Sequence, residues 1–197
     1  MERLILARHG ESVFSERLVL NGDIGVAGPL TARGGEEARA LGQALATTSI
    51  DLCVTSEFER ARQTADLALE GRDVPRLVLA ELNDPRYGRY EGQGLEAYRG
   101  WAATVGSEIE APAGGESRRQ IVARYVRAFA ALAERDEPTI IAVCHSLPIA
   151  YALAARDGVP PAVRVPLVLH AHPYPFAADE LARAVDVLGG WLAAPTW

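Results

Sequence analysis

The sequence predicts an α/β layer fold built on a largely parallel sheet. Three observations carry that prediction. Short apolar runs of strand length alternate with segments of helical periodicity along the chain. Two of the runs, Leu4–Ala7 and Thr139–Cys144 after its opening Thr, are continuously apolar, as strands buried in a sheet are. Residues that start helices stand between the strands and the periodic segments, at Thr31, Ser56 and Ser117.

The elements follow in order. The first strand ends abruptly in Arg8-His9-Gly10, and a loop leads to Thr31, the expected N-cap of a helix with Ala38, Leu41 and Leu45 on one face. Asp51–Thr55 reads as the second strand. Ser56 with Glu59 reads as a capping box that opens the next helix, and Leu77–Ala80 reads as a short third strand. Periodicity is lost from Asn83 to Gly115, where Gly, Tyr and Arg accumulate. Ser117 with Gln120 forms another capping box, followed by Ile121, Tyr125, Ala128 and Leu132 at helical spacing. Thr139–Cys144 ends in His145 and leads into a short helix. Leu181, Val185, Leu188 and Leu192 mark a C-terminal helix whose last turn Gly189-Gly190 should weaken.

At 197 residues the chain is most economically one domain, residues 1–197, with a core of useful size. No apolar run reaches membrane-spanning length and no signal-peptide pattern opens the chain, so a cytoplasmic protein without a membrane partner is expected. A net charge of −6 and the lack of a basic run argue against nucleic acid as a partner. All 20 basic residues are arginine, which excludes lysine chemistry. Cys53 and Cys144 lie in strand-like runs as buried thiols. His170-Ala171-His172 lacks a companion carboxylate or thiol and reads as two loop histidines rather than a metal site. No metal or other cofactor is expected.

Two strands end in histidine, His9 and His145. A third ends at Thr55-Ser56, with Arg60 in the first turn of the helix that follows. In a parallel sheet these ends share one edge, where ligands gather. Two imidazoles, the guanidiniums of Arg8 and Arg60, and a helix N-terminus converging there suit a tetrahedral dianion and attack on its phosphorus. Arg62 cannot join Arg60, because residues two apart on a helix face different ways.

Five ordered blocks carry a resemblance. Arg8-His9-Gly10, the Thr55–Ala65 run, Leu82–Gly88 with Tyr90-Glu91-Gly92, Gly114–Ser117 and Val143-Cys144-His145, together with Pro29-Leu30-Thr31, resemble the histidine phosphatase superfamily, which includes cofactor-dependent phosphoglycerate mutase. The resemblance spans about residues 3–155. It implies a three-layer α/β/α sandwich around a mostly parallel sheet, with residues 83–115 as an inserted lid. It implies a metal-independent phosphomonoesterase that acts on a small phosphorylated metabolite. His9 would be the nucleophile, with Arg8, Arg60 and His145 on the equatorial oxygens. His9 would have to be neutral, and His145 would be more useful protonated.

By the same resemblance Asp84 is the general acid, with Glu81 as the fallback. Ser15, Asn21 and Gly22 would place a polar loop over the phosphate, and Ser146 replaces a glycine that commonly follows the second histidine. Residues from about Arg164 onward depart from the family pattern, and the oligomeric state is not legible. A phosphoglycerate mutase is an alternative, kept open by Arg86, Arg89, Arg99, Arg118 and Arg119 although the insertion is shorter than in mutases. A phosphohistidine protein phosphatase, or a member that only binds phosphoproteins, is a further one, opposed by the presence of the lid. Tyr87, Tyr90, Tyr98 and Trp101 could form the wall of a pocket for a ring-bearing ligand or could pack the lid onto the domain.

Overall fold

The computed structural model describes residues 1–197. A five-stranded sheet has the order β3-β2-β4-β1-β5, with β1 at Arg3–Arg8, β2 at Leu52–Thr55, β3 at Arg76–Val78, β4 at Thr139–Cys144 and β5 at Pro173–Ala177. The first four run parallel, and β5 closes the edge antiparallel to β1. Helices are α1 (Val13–Glu16), α2 (Ala32–Ala44), α3 (Glu59–Ala68), α4 (Leu95–Ala102), α5 (Arg118–Ala133), α6 (Ser146–Arg156) and α7 (Ala178–Ala193).

Successive strand residues point to opposite faces, and both faces are covered. Leu4, Leu6, Ile140 and Ala142 pack with Tyr125, Phe129, Ile149 and Leu188 of α5, α6 and α7. Ile5, Ala7, Ile141 and Val143 pack with Leu41, Ala61 and Ala65 of α2 and α3. The result is the three-layer α/β/α sandwich with inserted segments. A smaller cluster of Leu20, Tyr87, Tyr98, Ala102 and Ala111 stands apart at the C-terminal edge of the parallel strands and forms the core of the 83–115 insertion.

Thr31 and Ser117 cap α2 and α5 as expected, and the Ser117–Gln120 capping box is complete. Two expectations are corrected. The Ser56–Glu59 capping box does not form: α3 begins at Glu59 after Phe58, and the Ser56 hydroxyl instead meets Nε2 of His145 at 2.9 Å. The third strand is shorter and earlier than Leu77–Ala80, because Ala80–Leu82 turns into a 3₁₀ segment. The last helix runs through Gly189-Gly190 to Ala193, with Leu188 and Trp191 both buried against the core.

Gly10 is required by packing. A Cβ there would lie 2.3 Å from the carbonyl oxygen of Gly34, so α2 approaches the end of β1 backbone to backbone. That approach fixes where the chain leaves the sheet immediately after His9.

Candidate active site

β1 and β4 are sheet neighbours in register, Arg8 opposite Cys144, so the residues just beyond them are neighbours too. The His9 amide donates to the Cys144 carbonyl at 3.0 Å, and the His9 and His145 rings meet edge to face with centroids 5.2 Å apart. From the next strand, Ser56 follows β2, and α3 delivers Arg60 one turn later. Arg60 is buried while Arg62 is exposed, as the helical spacing requires.

His9 Nδ1 lies 2.7 Å from the Gly10 carbonyl oxygen, which can only accept; Nδ1 therefore carries the proton, and Nε2 presents its lone pair. Arg60 Nε donates to that lone pair at 3.2 Å. The rest of the Arg60 fork is also engaged, NH1 on Asn21 Oδ1 at 2.7 Å and NH2 on the Asn21 carbonyl at 2.9 Å and on Asp84 at 3.4 Å. His145 is fully buried, with Nδ1 at 3.5 Å from Arg60 NH2 and 3.7 Å from Asp84. Asp84 also accepts from the Tyr87 hydroxyl at 3.3 Å.

Burial and the nearby guanidiniums of Arg60 and Arg8 hold His9 well below the ordinary imidazole range. Burial and the Arg60 guanidinium do the same for His145, so the unliganded site holds both rings neutral. The protonated His145 that would serve a phosphoryl group better is thus disfavoured by burial and by Arg60 until a dianion enters. Burial pushes the Asp84 carboxyl up despite Arg60 and Arg8.

The unfolded chain takes up protons near pH ~6.5 that the native histidines refuse, so stability is retained above that pH and falls as pH drops through it. Melting temperature measured from pH 7.5 down to 5.5, on the order of one unit either side of that value, is expected to decline. A His145→Gln variant is expected to decline less steeply, and an equal decline would assign the acid sensitivity elsewhere.

A cavity of about 270 Å³ opens onto this cluster. Arg8, His9, Arg60 and Asp84 form its polar end, joined by Ser15, Asn21 and Ser146. Ser15 also completes a capping box with Ser12 at the start of α1. The Ser146 hydroxyl accepts from the Val168 amide at 3.1 Å, while Arg8 NH1 donates to the Val168 carbonyl at 2.9 Å. Val168 of the C-terminal segment is thus held through both its amide and its carbonyl at the cavity edge.

Gly22 does not line the cavity. Its amide donates to Glu91 at 2.8 Å, and a Cβ there would lie 1.7 Å from the Pro85 carbonyl oxygen, so its smallness serves the approach of the Asp84-Pro85 loop. Glu81 is not on the cavity wall either.

The sequence reading missed the far wall. Val163, Val165, Leu167 and His170 line the cavity from beyond β4, in the stretch for which no family pattern was legible. Ala171 adopts a left-handed φ of 44° and donates to the Arg8 carbonyl at 2.8 Å, which turns His170 to within 5.8 Å of the His9 ring. Burial and Arg8 push His170 down to about 4. His172 instead packs on Tyr174, so the two rings diverge. Tyr87 and Tyr98 line the cavity and also stack with Tyr90 and Trp101 in the core of the 83–115 segment.

Comparisons with known proteins agree with this geometry. The adenosylcobalamin/alpha-ribazole phosphatase of Salmonella typhimurium is 32% identical over 81% of this chain and 82% of its own. The 2,3-bisphosphoglycerate-dependent phosphoglycerate mutase 2 of Gloeobacter violaceus is 32% identical over 66% of this chain and 62% of its own. The crystal structure of the alpha-ribazole phosphatase from Shigella flexneri superposes with a TM-score of 0.75 at 29% identity, covering 88% of this chain and 89% of that one. The sequence profile of the histidine phosphatase superfamily (branch 1) matches residues 4–170, and the chain belongs to that family.

Proposed function

We propose that this histidine-phosphatase-type hydrolase works in two steps through a phosphohistidine on His9, on a small phosphomonoester with an apolar or ring-bearing body. The observation that carries the reading is His9 itself: its proton is fixed on Nδ1 by Gly10, so Nε2, which accepts from Arg60 in the unliganded site, bears the lone pair that attacks once that guanidinium turns to the phosphoryl oxygens. Nε2 forms the bond to phosphorus as the ester P–O bond breaks, and protonated Asp84 gives its proton to the departing oxygen. Water then attacks the phosphorus and the P–N bond breaks, with the Asp84 carboxylate taking the water's proton. Inorganic phosphate leaves.

Arg8 and Arg60 bind the oxygens of the transferring group, and a dianion beside His145 favours its protonated form, which lends a third donor. Asn21 orients Arg60, and Ser15 and Ser146 border the phosphoryl position. Leu18, Val19, Leu95, Val165 and Leu167 also line the cavity, which suits a substrate body with little polarity. The names of the relatives make an α-ribazole phosphate the first compound to assay.

The test is phosphate release in EDTA from that compound, an aryl phosphate and glycerol phosphate. Turnover that survives the chelator is expected, with kcat/KM at least ~10-fold higher for the ring-bearing esters than for glycerol phosphate. No release from any ester, or phosphoglycerate interconversion outpacing hydrolysis, would overturn the proposal.

A further inference from the structure

Arg118 is the first residue of α5 and only 7% exposed, yet it lines the same cavity. Its Nε is buried without a hydrogen-bond partner. The acids around it are taken: Glu116 is paired with Arg124 at 2.8 Å, and Asp84 with Arg60. Its neighbour Arg119 is exposed and paired with Glu108. Among the other arginines on the cavity wall, Arg60 and Arg99 have carboxylate partners, and Arg8 donates to Val168. Arg118 rests over the Tyr98 ring at 5.5 Å.

This placement is unfavourable in two ways. A buried charge without a counterion is costly. The positive end of a helix disfavours a cation, and the first turn of α5 has no acidic residue to offset it. The stack on Tyr98 and a hydrogen bond to the neutral Tyr151 hydroxyl recover only part of that cost. An aliphatic side chain at this position would fill the space without these costs, so the guanidinium makes sense as one half of an ion pair that ligand completes.

The route from the reaction centre to Arg118 runs along one wall of the cavity. Tyr87 reaches Asp84 with its hydroxyl, Tyr98 stacks on Tyr87 at 4.9 Å, and Arg118 covers Tyr98. Arg118 is therefore two aromatic rings away from the phosphoryl position. Resting on the phosphatase reading above, we infer that Arg118 anchors a second anionic group of the substrate, a carboxylate or a second phosphate, at the end of the body remote from the scissile ester. The substrate class is a bifunctional anion with an apolar middle.

The probes are phenyl phosphate, its ortho, meta and para carboxylates, the matching carboxamides, and phenylene bisphosphates. In the wild type, the best carboxylate or bisphosphate is expected to exceed its uncharged counterpart by ~10–100-fold in kcat/KM, the range of a charge-assisted hydrogen bond. The carboxylate and bisphosphate arms tell which anion the site takes. Arg118→Met is expected to bring the ratio to within about threefold of unity and to raise the melting temperature, since it removes an unpaired buried charge. Arg118→Lys is expected to keep part of the preference.

A ratio near one in the wild type, or an unchanged ratio in Arg118→Met, overturns the assignment. So does a lowered melting temperature with equal loss on every ester, which marks a structural arginine. Calorimetric binding of the same compounds to His9→Ala should give the same ranking without turnover. Arg118 is thus tested even if the hydrolysis reading fails.

Discussion

Replacing His9 by alanine is expected to lower kcat/KM at least ~10⁴-fold for every phosphomonoester, about 5.5 kcal/mol of transition-state stabilisation, while the fold survives. The loss is large because the nucleophile is not replaceable in place. Water can enter the vacated volume, but the cations that bind the phosphoryl oxygens then act on an unpositioned attacker. Folding should tolerate the change because the ring's one backbone bond is to the adjacent Gly10, and the β1–β4 register rests on backbone hydrogen bonds. Circular dichroism and steady-state kinetics on the same sample check both halves. Activity within tenfold of the wild type, an order-of-magnitude allowance, would remove His9 from the chemistry.

Asp84→Asn is expected to separate esters by their leaving groups. An alkyl phosphate needs a proton on the departing oxygen, so its turnover should fall ~10²–10⁴-fold. A 4-nitrophenyl ester departs as a stable anion and should lose less than about tenfold. The pH profile carries the sign. The folded-state pKa of Asp84 is raised by burial, so the protonated form persists to higher pH than for a free aspartic acid, and alkyl-ester turnover should decline as pH rises through it. The variant should lose that decline. A carboxyl with a raised folded pKa contributes stability at low pH that is lost as pH rises through that pKa. At neutral pH asparagine therefore removes a net cost, and the variant should melt no lower than the wild type. Equal losses on both esters would assign Asp84 to orienting Arg60 instead.

The parallel core and its two histidines were legible because they rest on local chemistry. β1 and β4 each hold an unbroken apolar run, Leu4–Ala7 and Ile140–Cys144, and a strand that stops at Arg8-His9-Gly10 states where its polar end lies. β5 was illegible for a physical reason. Its Pro173-Tyr174-Pro175 core breaks strand propensity, and only its place at the sheet edge, with no strand on its outer side, makes missing amide donors tolerable. His170 was lost with it, since its approach to His9 depends on the turn that leads into β5. Ser56 was misread because a hydroxyl before a helical segment signals an N-cap, whereas here the stronger partner is an imidazole delivered from β4. Arg118 and Arg119 look alike in sequence. The α5 N-terminus separates them, turning one into the cavity and the other to solvent.

The C-terminal wall has a consequence for specificity. Val168 is held by Arg8 on one side and by Ser146 on the other, so two residues expected at the phosphoryl site also fix the apolar segment that meets the substrate body. A phosphate that draws on Arg8 therefore acts on the same arginine that holds Val168.

The most direct measurement is a rapid acid-free quench of the enzyme during turnover of a phosphate-labelled aryl ester, followed by tryptic mapping. Label is expected on the peptide His9–Arg17, stable in alkali and lost in acid as a phosphoramidate is, and no such label in His9→Ala. Steady phosphate release with no label on that peptide, under conditions where breakdown of the intermediate is slower than its formation, would contradict a phosphohistidine at His9.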